Sequence, residues 1–273
     1  GVGLVTGALV SLSRRFDASV VFRHYDRHFH SFHARSFAEG SRPINETGLY
    51  LGGKYTPNAR WQVNGYVDAF RFPWLKYLVD KPSSGAGALL RVGFTPRKTA
   101  RAFAQFLVET KEKNVPDRLQ KENAVLRTTR YNGMLGYDRA FGRKFSLTSR
   151  AFYTSFRFQG FRPSQGWGLV QDASVGFKKW SLTGRLAYFN TDDYDSRFYS
   201  YEQDVLYAFS LPAYFNHGFR QYLLAQYRIG PAFDLWVRVA RSEFLNQDTV
   251  GSGLDLIEAP HRTEVKVQVR WRF

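Results

Sequence analysis

The chain closes on "RTEVKVQVRWRF", in which polar and apolar residues alternate without a slip. Successive side chains of a strand point to opposite faces. Thr263, Val265, Val267, Val269, Trp271 and Phe273 therefore form one row, and Arg262, Glu264, Lys266, Gln268, Arg270 and Arg272 the other. The pattern recurs upstream. Trp61, Val63, Gly65, Val67 and Ala69 oppose Gln62, Asn64, Tyr66 and Asp68, and Ala102, Ala104, Phe106 and Val108 oppose Arg101, Gln105, Glu109 and Lys111. Leu223, Ala225, Tyr227 and Ile229 oppose Arg220, Gln226 and Arg228, whereas "FSLTSRAFYTSFRF" carries aromatics on both faces and leaves its phase open.

These runs are about ten residues long, the length a tilted strand needs to cross a bilayer. Two kinds of connection alternate between them. The short ones are "SRRFD", "TPNAR", "TPRKT", "FGRK", "FKKW" and "IGPAF", whose Pro, Gly, Asn and basic residues suit tight turns. The long ones fall near residues 26–46, 73–85, 112–122, 159–166, 191–217 and 245–260. Long loops kept to one side are a property of transmembrane barrels, and a soluble sandwich has no reason to sort them. With the C-terminus periplasmic and the long loops extracellular, residues 191–217 form a single extracellular excursion whose "DVLYAFSLPAYF" does not cross. That leaves roughly 13 crossings, and single-chain bacterial barrels have even strand numbers. Either at least one strand is expected upstream, the favoured reading, or residues 191–217 are miscounted by one crossing. "GVGLVTGALVSLSRRF" lacks a basic leader and is spaced like a strand, so a removed signal segment is also expected upstream. The expected fold is an all-β, antiparallel transmembrane outer-membrane β-barrel of about 14 strands, with residues 1–273 as one barrel domain at the C-terminal end of a longer chain.

Composition sharpens this reading. Aromatics reach 17%, yet the mean hydropathy is negative and no run of 18 or so apolar residues marks a spanning helix. Alternation averages out in a hydropathy window, so a barrel looks polar while staying rich in aromatics. Trp61, Phe72, Trp74, Tyr77, Trp180, Trp236 and Trp271 fall near strand ends, where such rings settle at the membrane interface. The absence of Cys excludes disulfides and thiolate metal sites. The net charge of +16 favours polyanions, among them lipid phosphates, lipopolysaccharide and nucleic acid, without choosing one.

The segments "SRPINETGLYLG", "FRFPWLKYLVDKPSSG", "DSRFYSYEQDVLYAFSLPAYF" and "VGSGLDLIEAP", followed by the final strand, resemble a family of Bacteroidota outer-membrane proteins named for an N-terminal helix-hairpin-helix domain. The resemblance runs from about residue 20 to Phe273 and covers the family's C-terminal barrel region. It implies the fold and an outer-membrane location, and no reaction. The helix-hairpin-helix domain, which elsewhere binds DNA backbone, is not in this chain. The final strand, with Val265, Val267, Val269, Trp271 and the terminal Phe273, also resembles the signal read by the barrel-assembly machinery.

Candidate chemistry is sparse. His24, His28, His30 and His33 have a spacing that could surround a metal, but they stand among Arg and Phe with no carboxylate cluster, and a basic aromatic loop is the better reading. His217, His261, Ser210, Ser252 and Asp255 offer triad residue types without any spacing that fixes a geometry. Asp192, Asp193 and Asp195 lack the closing Glu of a calcium loop, and "VGSGLD" reads as a turn. No enzyme, cofactor or metal is expected. Inward Arg101, Lys111, Arg228, Lys266, Arg270 and Arg272 form a candidate basic lumen that would attract anions. Asp68, Glu109 and Glu264 face the same way, which makes a plugged lumen of paired charges the competing reading. The expected function is a non-enzymatic scaffold or subunit of an envelope assembly, with other envelope proteins as partners. The alternative is a basic-lined pore for anionic solutes or nucleic acid.

Overall fold

A computed structural model describes residues 1–31, 36–115 and 124–273. The strands are β1 (Gly3–Ser13), β2 (Phe16–Tyr25), β3 (Glu46–Asn58), β4 (Trp61–Phe72), β5 (Ser83–Arg97), β6 (Ala100–Val115), β7 (Ala124–Phe141) and β8 (Phe145–Phe158). There follow β9 (Ser164–Gly176), β10 (Trp180–Thr191), the short β11 (Phe198–Tyr199) and β12 (Ala213–Tyr214), then β13 (His217–Arg228), β14 (Phe233–Phe244) and β15 (His261–Trp271). The only helical turn among the described residues is one 3-10 turn at Gly253–Asp255.

Thirteen strands form one sheet in chain order, except that β11 and β12 pair with each other and β10 pairs directly with β13. The stretch 192–216 is thus one excursion that leaves and rejoins adjacent strands, as the count of crossings requires. Every short connection expected from the sequence is a turn between neighbouring strands. At the β7–β8 turn Gly142 has φ +66°, a conformation that a side chain would strain.

Two compact units can be distinguished: residues 1–94, 104–133 and 156–163, and residues 95–103, 134–155 and 164–273. In each, one face of the sheet is apolar and exposed. Val20 and Phe22, Leu49 and Leu51, Val67, Leu90 and Phe106 line it in the first unit, and Leu135, Leu169, Leu186, Leu223, Val239, Val265, Val267 and Val269 in the second. The register explains the continuity. Leu49 and Leu51 face Ala69 and Val67, and Val239, Val237 and Leu235 face Val265, Val267 and Val269. An exposed apolar surface repeated strand after strand is a solvation problem in water and a favourable surface in lipid.

The opposite face is polar and carries parts of two long loops, residues 36–45 and 192–216; most of the 112–122 loop lies outside the described residues. In β8, Thr154 and Phe156 are buried in the inward row that also holds Thr148 and Arg150, which resolves the phase left open by its aromatics. Phe72 and Trp236, expected as interface anchors, are buried on the inward face instead. Alternation puts Phe72 in the row of Asp68 and Trp236 in the row of Arg238, whereas Trp61, Trp74, Tyr77, Trp180 and Trp271 are exposed.

The phasing has a direct energetic consequence. Val267→Arg should cost about 2–4 kcal/mol near the bilayer midplane, and Gln268→Glu at the next, inward position far less. Urea titration of the protein folded into lipid vesicles measures both, and equal costs would contradict the assigned faces.

Candidate functional site

Between β10 and β13, "DSRFYSYEQDVLYAFSLPAYF" departs from simple alternation and folds back along the inward face. β11 and β12 pair, Glu202 N–H donates to Ser210 C=O at 2.9 Å, and Ala208 N–H donates to Val205 C=O at 3.1 Å at the tip. The result is an irregular hairpin. Its apolar residues bury against the strands: Phe198 and Tyr214 pack with Val170, Ala187 and Phe189, and Val205 packs with Tyr222, Leu224, Trp236 and Ala240.

Charge fixes this hairpin in place. Glu202 is fully buried. Its Oε1 accepts from Arg220 Nε at 2.6 Å and from the Tyr214 hydroxyl at 2.8 Å; its Oε2 accepts from Arg220 Nη2 at 2.9 Å and from Arg238 Nη2. Arg238 Nε also donates to the Gln203 carbonyl, and Lys266 Nζ to Asp204 at 2.5 Å. Beside them Arg185 grips Asp172 with two bonds of 2.6 and 2.7 Å and donates to the Tyr201 carbonyl, Ser200 and Tyr214. Strands β9, β10, β13, β14 and β15 thus all hold the same hairpin. Burial pushes the Glu202 carboxyl up, but the bonds and charge of Arg220, the Tyr214 hydroxyl and the Arg238 charge outweigh it, and Glu202 lies below the ordinary carboxylate range. Asp204 is lowered in the same way, with burial opposed by Lys266, the Val205 N–H and Arg238.

The first unit repeats the device. Arg23 on β2 is fully buried and donates to Glu46 at 2.5 Å and to both oxygens of Asp68 at 2.7 and 3.0 Å. Glu46 in turn accepts the backbone N–H groups of Glu39 and Gly40 from the preceding loop, and the Phe37 ring lies 5.2 Å from the guanidinium. Gly48 lets the guanidinium pass, since a Cβ there would sit 2.5 Å from Arg23 Cζ.

The residues expected to line a basic lumen fall into three groups. Lys111 is paired with Glu39 and Glu109, and Lys266 with Asp204. Arg270, Arg272 and Arg228 converge on Asp234 at 2.5, 3.0 and 3.6 Å. Arg101 is exposed. In the terminal strand, Val265, Val267, Val269, Trp271 and Phe273 are all exposed on the apolar face, with Trp271 stacked on Phe233 at 5.7 Å.

Other sequence candidates go to separate structural roles. His24 bonds Thr47 and Asp26, and His28 accepts from Arg27, while His33 lies outside the described residues. No group of three or more His, Cys, Asp or Glu that could hold a metal occurs among the described residues. His217 bonds Tyr188 at 2.8 Å, Ser210 bonds Glu202 and His261 pairs across the sheet with Glu243. Asp255 lies in the 3-10 turn after Ser252. Asp193 closes a turn by accepting from Ser164, Asp195 N–H and Ser196 N–H, and Asp192 accepts from Gln165 N–H. Sequence reasoning did not single out Glu202, Arg185, Arg238 or Arg23. The available signal was the charged "YEQD" among aromatics, opposite strands whose inward rows hold arginine.

No family model and no curated protein matches the chain. Solved structures do. The FrpB iron transporter from Neisseria meningitidis matches with a TM-score of 0.55 at 10% identity, over 89% of this chain and 44% of that one. The copper transporter OprC matches with a TM-score of 0.52 at 10% identity, over 99% and 50%. The siderophore receptor PiuA from Acinetobacter baumannii matches with a TM-score of 0.50 at 13% identity, over 94% and 37%. This chain spans half or less of the length of each. Together with the exposed apolar face and the strand order, these likenesses define the fold: it is of the outer-membrane β-barrel class.

The hairpin's dependence on one carboxylate can be measured. Glu202→Gln leaves buried Arg220 and Arg238 with only the more distant Glu264 (3.9 Å) and Asp204 (3.8 Å) as counter-charges and should cost about 3–5 kcal/mol. Hydrogen exchange should rise in residues 198–214 and stay unchanged in β13 and β14. Because the folded carboxyl titrates below its unfolded value, its contribution is complete above the unfolded pKa and is lost as pH falls through the folded one. Protection of 198–214 should therefore survive acidification through the ordinary glutamate range, near about 4.3, and fail only below it. Loss of protection at higher pH would place the hairpin's hold elsewhere.

Proposed function

We propose that the protein is a non-enzymatic outer-membrane β-barrel that serves as a scaffold or subunit of an envelope assembly, with long loops outside the cell and the C-terminus in the periplasm. The observation that carries this reading is the pairing of inward charges. The arginines and lysines that would draw anions through a pore are largely engaged by carboxylates, several of them supplied by the chain's own inturned loops. A face filled in this way suits a fixed platform better than a conduit. The apolar outer rows meet lipid and lipopolysaccharide, and the exposed final strand ending at Phe273 is the element the barrel-assembly machinery would read. Kinship with the Bacteroidota helix-hairpin-helix family belongs to the same proposal and is supported by the four sequence segments. Nucleic acid would enter through a domain of that kind and not through the described residues.

A second reading, transport of a solute, draws on the similar structures, two transporters and a siderophore receptor. The two readings part in one experiment. The native protein is extracted gently from outer membranes, its companions are identified by mass spectrometry, and the isolated barrel is placed in a planar bilayer. Stoichiometric companions and a silent bilayer support the assembly subunit. A solitary barrel that conducts with anion preference replaces it with the pore.

A further inference from the structure

A cavity of about 460 Å³ lies in the second unit between the inward face of β7–β10 and the hairpin. That is within the usual size of small-molecule sites, about 300–1,000 Å³. Its chemistry is unusual for an interior bounded by arginines, because its charges are already matched. Arg185 is held by Asp172, and Arg150 donates to Asp138 at 2.7 Å. An ionic ligand would lose its hydration and find no free counter-charge. The remaining polar groups are hydroxyls and an amide: Ser146, Thr148, Ser174, Ser200 and Gln203. Thr148 donates to Asp138, Ser174 shares a bond with Thr183, Gln203 Oε1 accepts from Thr183 and Ser200 accepts from Arg185, which leaves the hydroxyls' second lone pairs and the Gln203 N–H groups for a ligand. Each of these side chains can both donate and accept, which suits a ligand whose own groups do the same. Two tyrosines on the hairpin, Tyr199 and Tyr201, line the cavity beside Met134 and Phe152, with about half of each tyrosine's surface exposed. Half-exposed rings beside hydroxyls can stack on the C–H face of a sugar while its edge is hydrogen-bonded.

We propose that this cavity binds a neutral saccharide of one or two rings, with Tyr199 and Tyr201 stacking on it and Thr148, Ser174 and Gln203 reading its hydroxyls. Phosphate and other small ions are excluded by the matched charges. The site needs the hairpin in place and is independent of whether the barrel conducts or carries partners.

The test is calorimetric titration of the purified protein in lauryldimethylamine oxide, a detergent without a sugar headgroup, using maltose and inorganic phosphate as separate probes. Maltose should bind and phosphate should not. Tyr201→Ala and Tyr199→Ala should each weaken maltose about tenfold, the size of one lost aromatic contact, and Tyr201→Trp should restore binding. Both rings are exposed enough for their loss to leave the fold intact, which heat-modifiable migration on gels verifies. Absence of maltose binding, binding of phosphate instead, or maltose binding indifferent to both alanine variants would each overturn the proposal.

Discussion

Glu202 holds its charge in a place that water does not reach, and Arg220, Arg238 and Tyr214 all turn toward it. A buried carboxylate without partners costs several kcal/mol, so carboxylate and guanidinium groups are mutually obligatory here. Because the carboxylate belongs to the hairpin and the guanidiniums to β13 and β14, this one requirement ties the excursion to the sheet. The apolar packing of Phe198, Tyr214 and Val205 holds the same hairpin against the sheet.

The same logic recurs around Arg23, where Glu46 and Asp68 match the guanidinium and Glu46 also receives backbone donors from the loop before it. In both units, a strand's inward arginine is matched by carboxylates, one of which also binds an inturned loop. Ion pairs of this kind contribute less to net stability than to specificity, because desolvation offsets much of their attraction. Here the specific outcome is which way a long loop folds.

That outcome bears on function through solvation. An inward face with free arginines would concentrate anions and favour their passage. One whose arginines are matched leaves hydroxyls, amides and aromatic edges as its accessible chemistry, and such groups recognise neutral polar molecules by hydrogen bonding and stacking. The matched charges and the neutral polar lining of the cavity are therefore two sides of the same pairing.

How far the sequence determines this protein differs between strand and loop. The alternation of Val265, Val267 and Val269 with Lys266, Gln268 and Arg270 decides strand, face and register locally, because side-chain direction along a strand has a period of two. Turn residues decide where strands end, and the strands, the short turns and the non-crossing nature of 192–216 were legible for that reason. The partners of Glu202, Arg185 and Arg23 were not. Lys266 and Asp204 are 62 positions apart in the chain, and no local pattern states that they meet. Phe72 and Trp236 look like interface anchors until their rows are traced to Asp68 and Arg238. Which face a residue occupies is a local property of the backbone, whereas which charge neutralises it depends on how a distant loop folds, and only the tertiary structure decides that.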